Sequence, residues 1–158
     1  MSEQQNIVSP TFHSEKEAIP IKNNESHVFE TEDEVKTWIA IVTGLELPNG
    51  DLHSVLKSGE ILCALINRII PNSAKFTKSS MPFKQMENIN QFLLACDRLG
   101  CPKQELFQTI DLYEKKNMNA VIDALYSVSR NAQKCGFQGP FIGPKLSESR
   151  VRIHIFLF

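Results

Sequence analysis

The chain has 158 residues, 42% of them hydrophobic and ten of them Phe, which supplies one packed core and leaves chain over for tails. A net charge of −1 and a pI of about 6.4 disfavour a nucleic-acid or membrane partner recruited by bulk charge, while leaving room for a local basic patch. No run of the sequence reaches the roughly 18–20 apolar residues that a membrane-spanning helix needs.

Residues 1–29 are polar, with Pro10, Pro20 and scattered Ser, Asn and Glu. Their apolar residues are isolated and non-periodic, so the segment cannot bury enough surface to offset its chain entropy and reads as a disordered extension. Its first ten residues lack the apolar run of a secretory signal. Thr31-Glu32-Asp33-Glu34 has the form of a capping box, with acidic residues favoured at the positive end of a helix. The helix that follows places Val35, Trp38, Ile39 and Val42 on one face, and Gly44 ends it. Pro48-Asn49-Gly50 is a turn, and Asp51–Leu56 is at most a short helix.

Leu56–Ser73, LKSGEILCALINRIIPNS, is the most informative stretch. Ile61, Leu62, Cys63, Ala64, Leu65, Ile66, Ile69 and Ile70 leave only a narrow polar strip at Glu60 and Asn67. A helix apolar nearly all the way round must be wrapped by others. Ser58 is placed to cap it and Pro71 to stop it. A loop over Asn72–Phe83 follows, with Pro82 near its end. Lys84–Leu99 is then helical, with Met86, Ile89, Leu93 and Cys96 as an inner stripe flanked by Phe92 and Leu99, and Gly100 closes it. Pro102–Gln108 reads as a short helix led by a first-turn proline, and Asp111–Lys116 as a short turn. Asn117 caps the last long helix, Met118–Lys134, whose stripe is Met118, Val121, Ile122, Leu125, Val128 and Ala132, with Gly136 as its stop. The Gly/Pro-rich segment from Gly136 to Arg150 is an extended tail placed to pack along the domain. Val151–Phe158, VRIHIFLF, is apolar and strand-like, a terminal appendage or a short anchor for a partner.

The class is therefore all-α: four main helices around a buried central helix, plus short connecting helices. The chain divides into an extension (1–29), a domain (30–136) and a tail (137–158). Cys63, Cys96, Cys101 and Cys135 form no CxxC; Cys63, Cys96 and Cys135 lie on apolar helix faces and are expected to be reduced, buried thiols. His13, His27, His53 and His154 are far apart and no Cys/His set has zinc spacing, so no metal is expected. Phosphate-loop, dinucleotide and nucleophile-elbow motifs are missing from the sequence, and Asp51 and Glu60 read as solvated helix-end charges. The expectation is a binding module with no cofactor and no catalytic residue. Lys57, Arg68, Lys75, Lys78 and Lys84 cluster in and around the central helix and its loop, where nearby acids are fewer (Asp51, Glu60, Glu87). Phe76, Met81 and Phe83 punctuate the same loop. They are either a cover for the core or the apolar centre of a contact, and the lysines either its steering rim or an ordinary solvated surface.

Four ordered blocks carry a family resemblance. Trp38 in an opening amphipathic helix, LKSGEILCALINRIIP at 56–71, FKQMENINQFLLACDRLG at 83–100 and DLYEKKNMNAVIDALYSVSR at 111–130 resemble a calponin homology domain. Leu56-Lys57-Ser58-Gly59 is similar to that family's L-K-D-G entry to its central helix, and Met86-Glu87-Asn88-Ile89 to its M/L-E-N-I/V block. Asp111-Leu112-Tyr113-Glu114, with Asn117 and Val121, resembles the single-domain calponin/transgelin branch. Gly139–Leu146 resembles the linker leading out of that domain, and VRIHIFLF stands where the branch has its basic repeats. The resemblance implies Trp38 packed on the central helix and structural roles for Asn88, Asp111 and Asn117. It also implies an actin-associated cytoskeletal adaptor in the cytoplasm, monomeric, binding filamentous actin weakly and reaching other signalling proteins through its ends. The candidate contact residues are then Lys57, Arg68, Lys75, Phe76, Lys78 and Lys84 of the basic cluster and its loop, with Lys36, Thr37 and Ile41 as second candidates, because family members often set the first helix against actin. The rival reading is a scaffold domain that binds a kinase, exchange factor or GTPase regulator without touching actin. A microtubule-end binder of related fold would bring a heptad-repeat dimerisation helix, and the sequence has no heptad run.

Overall fold

The structure, a computed structural model, describes residues 31–143. The expectations for residues 1–29, and for the tail beyond Gly143 including Val151–Phe158, lie outside the described residues. Within them every regular element is helical, and no strand occurs among the described residues.

Helix α1 occupies residues 31–43. Its expected stripe of Val35, Trp38, Ile39 and Val42 is buried. Gly44 ends it at φ 73°, its N–H donating to Ala40 O at 2.8 Å. Thr31 is already helical, so it lies within α1 instead of capping it. Helix α2 is Leu52–Leu56, capped by Asp51, whose Oδ1 accepts the Ser54 N–H at 3.0 Å. The Lys115 ammonium, 2.9 Å from Asp51 Oδ2, and the Ser54 N–H hold that carboxyl well below the usual range. This one side chain thus starts α2 and ties it to the distant turn that carries Lys115.

The central helix, α3, is Glu60–Ile69. Its cap position is Gly59 in a left-handed conformation (φ 78°), one residue later than the expected Ser58; the Ser58 hydroxyl accepts the Glu60 N–H instead. Leu62, Cys63, Leu65 and Ile66 are buried, Ile61, Ala64 and Ile69 are half-buried, and Arg68 alone in the helix is exposed. Burying each of the larger side chains stabilises the fold by about 1.5–3 kcal/mol. The helix ends at extended Ile70, and Pro71 follows.

Helix α4 spans Pro82–Leu99, two residues earlier than expected, because a proline at the first helical position lacks only an N–H that would be unpaired there. Its inner face is Asn88, Ile89, Phe92, Ala95, Cys96 and Leu99, while Met86 and Leu93, expected in the stripe, are half-buried. The face is turned toward Phe92, whose ring stacks on Phe107 with centroids 6.3 Å apart. A 3-10 turn, Lys103–Glu105, follows Pro102, which sits at the cap and not inside it. Helix α5, Thr109–Tyr113, replaces the expected turn at Asp111–Lys116. Asp111 secures its start by accepting the Gln108 N–H at 2.8 Å, a capping role. Helix α6 is Met118–Lys134, as expected, with Asn117 Oδ1 accepting the Ala120 N–H at 3.1 Å.

The layers follow from these faces. α3 packs chiefly on α4; α6 lies against α4, α5 and the 3-10 turn; α2 bridges α3 and α5. Trp38, Ile39, Leu62, Leu65, Ile66, Phe92, Leu112 and Leu125 share one core. The four cysteines are unpaired; Cys63, Cys96 and Cys101 are buried, whereas Cys135, expected inside, is exposed at the C-cap of α6. Burial pushes the Cys63 thiol up to about 12.

The entry to α3 meets the backbone of α4 at Gly59. A Cβ there would stand 2.6 Å from Asn88 Cβ and 2.8 Å from the Ile89 backbone nitrogen, on a left-handed φ that side chains disfavour. Backbone atoms of α4 offer no flexible end that could yield. Gly59→Ala is expected to lower unfolding stability by about 2–4 kcal/mol, read as a lower urea midpoint with the helical signal retained. An unchanged midpoint would show that α3 and α4 are not locked at this point.

Candidate protein-binding surface

The loop from Asn72 to Met81 carries no helix or strand, yet it is fixed along its length by two asparagines. Asn67, in the polar strip of α3, accepts the N–H groups of Ser73 (2.9 Å) and Ala74 (2.8 Å) through Oδ1 and donates from Nδ2 to Ala74 O at 2.8 Å. Asn88, on the inner face of α4, accepts the Thr77 N–H at 2.9 Å and donates to Thr77 O at 2.8 Å. The same amide also donates to Ser58 O at 3.0 Å, on the turn entering α3. A side-chain amide that pairs with both backbone groups of one residue holds it as a neighbouring strand would. Further along, Gln85 Nε2 donates to Ser79 O at 3.0 Å, and the Ser79 hydroxyl accepts the Met81 N–H at 3.1 Å.

Between the two pins, at Ala74 and Thr77, stand Lys75 and Phe76, both exposed. Lys78 is exposed next to the second pin. Met81 and Phe83 are 57% and 59% exposed at the head of α4, unusual for side chains of that size. The Lys84 ammonium lies 5.4 Å from the centroid of the Phe83 ring. From Ile61 to Met86 the sequence carries Arg68, Lys75, Lys78 and Lys84 and no acidic residue at all. The α4 N-terminus adds to this potential, with no acidic residue in its first turn and no side-chain cap. The result is a rigid, positively charged ledge with Phe76, Met81 and Phe83 as its apolar part.

The other expected contact residues separate from this ledge. Lys36 is half-buried and donates to Gly50 O at 2.9 Å, with Asp33 at 3.9 Å, so it holds the turn before α2. The Lys57 ammonium lies over the Tyr113 ring, 4.7 Å from its centroid, facing α5. Arg68 Nε donates to Val42 O at 3.1 Å, satisfying one of the last carbonyls of α1. Ile41 is 60% exposed near that end of α1, and Leu45 just beyond the helix is exposed as well. Arg68 and Ile41 thus belong to one small surface, and Lys75, Phe76, Lys78 and Lys84 to another. The sequence marked the lysines, and the resemblance implied a structural role for Asn88, which holds backbone groups of Thr77 and Ser58. What it missed is the part played by Asn67, although that residue interrupts an otherwise apolar helix.

Fold and ledge together define a small all-helical domain built around one buried helix and presenting a preformed charged loop. Comparison with known proteins gives the class its name. The family model described as the calponin homology (CH) domain matches residues 29–134, and the chain belongs to that family. It is 42% identical over 125 residues to myophilin of Echinococcus granulosus, covering 77% of this chain and 66% of that protein. Against transgelin of Saccharomyces cerevisiae it is 40% identical over 126 residues, covering 75% of this chain and 63% of that protein. The chain thus spans less than two thirds of the length of these curated relatives. The solved calponin-homology domain of Rng2 from Schizosaccharomyces pombe superposes with a TM-score of 0.62 at 27% identity, covering 77% of this chain and 78% of that one. The likeness is to the calponin/transgelin branch, as the four sequence blocks imply.

Asn88 is the pin most easily tested. Asn88→Ala leaves both backbone groups of Thr77 and the Ser58 carbonyl without their partner. A loss of about 2–4 kcal/mol is expected, with faster amide exchange at Thr77 than in the wild type. Unaltered exchange at Thr77 would mean that the loop is held by something else.

Proposed function

We propose that this protein is an actin-associated cytoskeletal adaptor that docks on filamentous actin through the ledge at Lys75–Lys84. The observation that carries the reading is the coincidence of three exposed apolar side chains with the lysines of a loop fixed by Asn67 and Asn88 and of the adjoining head of α4. Kinship with transgelin supports a cytoskeletal role. The chemistry of the ledge supports an acidic partner. Its lysines orient the encounter, and Phe76, Met81 and Phe83 supply the desolvated centre. A preformed loop loses little chain entropy on docking. The surface at Ile41, Leu45 and Arg68 is a second point of contact.

In this reading the protein is not an enzyme: it holds and positions, and its charged groups serve as caps, ion pairs and steering charges. It acts in the cytoplasm on the cytoskeleton, as a monomer that binds filaments weakly on its own.

Lys75→Glu combined with Lys78→Glu tests the ledge, since both side chains are exposed and neither caps a helix. Co-sedimentation with pure actin filaments at low salt is expected to weaken about tenfold, equivalent to about 1.4 kcal/mol, and to lose most of its salt dependence. A double variant that pellets like the wild type would remove the loop from the contact. Failure of the wild-type protein to pellet at any salt concentration would remove actin itself and leave the scaffold reading.

A further inference from the structure

After α6 the chain does not leave the domain. Gly136 turns it back (φ 89°), and residues 137–143 run without helix along α6 toward α1. Three hydrogen bonds mark the path: Phe137 N–H to Ala132 O at 3.0 Å, Trp38 Nε1–H to Pro140 O at 2.8 Å, and Ile142 N–H to Ser129 Oγ at 2.8 Å. Trp38 is the protein's only tryptophan, and it lies on α1, 102 residues away from its acceptor. Ser129 is fully buried on α6. Phe137 and Ile142 pack on the core at either end of the segment, and the Phe137 ring folds so close over Gly139 that a Cβ there would collide with it.

The arrangement is that of a bound peptide. An indole N–H reads the carbonyl of a proline in an extended segment, a serine reads an amide two residues on, and two apolar side chains fill the flanks. The buried faces of α1 and α6 also meet the rest of the core through Val35, Ile39, Val121, Leu125 and Val128, apart from the segment. Both flanking side chains are only half-buried, so the segment is held less firmly than the helices beneath it.

We propose that the seam between α1 and α6 is a docking site for an extended, proline-containing apolar segment, occupied here by the chain's own residues 137–143 as a releasable latch. Trp38 and Ser129 are its reading residues. Opening the latch exposes Trp38 without unfolding the helices and ties events in the chain beyond Gly143 to α1. The inference is independent of the actin reading.

The full chain carrying Ile142→Ala tests this, because the change lies outside the helices. Trp38 emission is expected to shift to the red and to be quenched more by acrylamide, and its indole N–H to exchange at least tenfold faster. Backbone amides of α3 and α4 are expected to keep their protection. Adding a synthetic peptide spanning residues 137–143 is then expected to reverse the emission shift saturably, and Ser129→Ala in the same background to abolish that reversal. Three results would overturn the proposal. If Ile142→Ala loses its helical circular dichroism, the segment is part of the core and not a latch. If indole exchange stays level with the slowest core amides, the latch does not open by itself. If the peptide leaves the emission unchanged, the seam is not a docking site.

Discussion

Gly59 and Asn88 meet where the entry to α3 crosses α4, and there is no room between them for one more carbon. Everything that positions the surface descends from that crossing. Gly59 must be left-handed to launch α3, and it must lack a side chain for α4 to approach. The approach carries the Asn88 amide to the Ser58 carbonyl on one side and to both backbone groups of Thr77 on the other. A buried side chain thus joins the entry to α3, the loop and α4, and three backbone groups depend on it for a partner. The Cys63 thiol completes the contact by donating to the Asn88 backbone carbonyl at 3.3 Å.

Rigidity of the loop is a functional property in its own right. A protein of net charge −1 gains little from long-range attraction, so its charge must be concentrated locally to matter. Here the concentration is achieved by leaving the run from Ile61 to Met86 free of acids and by fixing the lysines of its loop in place. Meanwhile Lys36 and Lys57, equal candidates by charge alone, are drawn into bracing a turn and covering a tyrosine ring, and Arg68, though exposed, closes the end of α1 away from the ledge. The same residue type steers a partner or staples the fold according to whether a carbonyl or a ring lies within reach.

How far the sequence could be read follows from which interactions are local. Periodicity gave the buried stripe of α1 residue for residue, and Asn117 gave the exact start of α6, because caps and faces are decided within a turn or two; on α6 it gave Val121, Ile122, Leu125, Val128 and Ala132 but missed Ala124, Ser127, Ser129 and Asn131, and Met118 is only half-buried. The start of α4 was missed by two residues because Pro82 is compatible with both a loop and a first helical turn. Its stripe was rotated because the decisive partner of Phe92 is Phe107, beyond the reach of any local pattern. Cys135, expected inside, is exposed, while Cys101, placed on no apolar helix face, is buried because the left-handed turn at Gly100 folds it inward, its N–H donating to Cys96 O at 3.1 Å. The lysines of the surface were legible as a cluster. Their division into an exposed ledge and internal staples was not, since it depends on carbonyls contributed by Gly50 and Val42. Nor was the partner of Trp38, whose hydrogen bond closes a loop of most of the domain.

The central claim is that a loop pinned by two asparagines is the part of the domain that meets the filament. Amide hydrogen exchange of the full chain, recorded free and with saturating actin filaments, tests it most directly. Added protection confined to residues 73–86, with a smaller effect at the end of α1, is the expected result. Protection gained only on α5 and α6, with residues 73–86 unchanged, would contradict it.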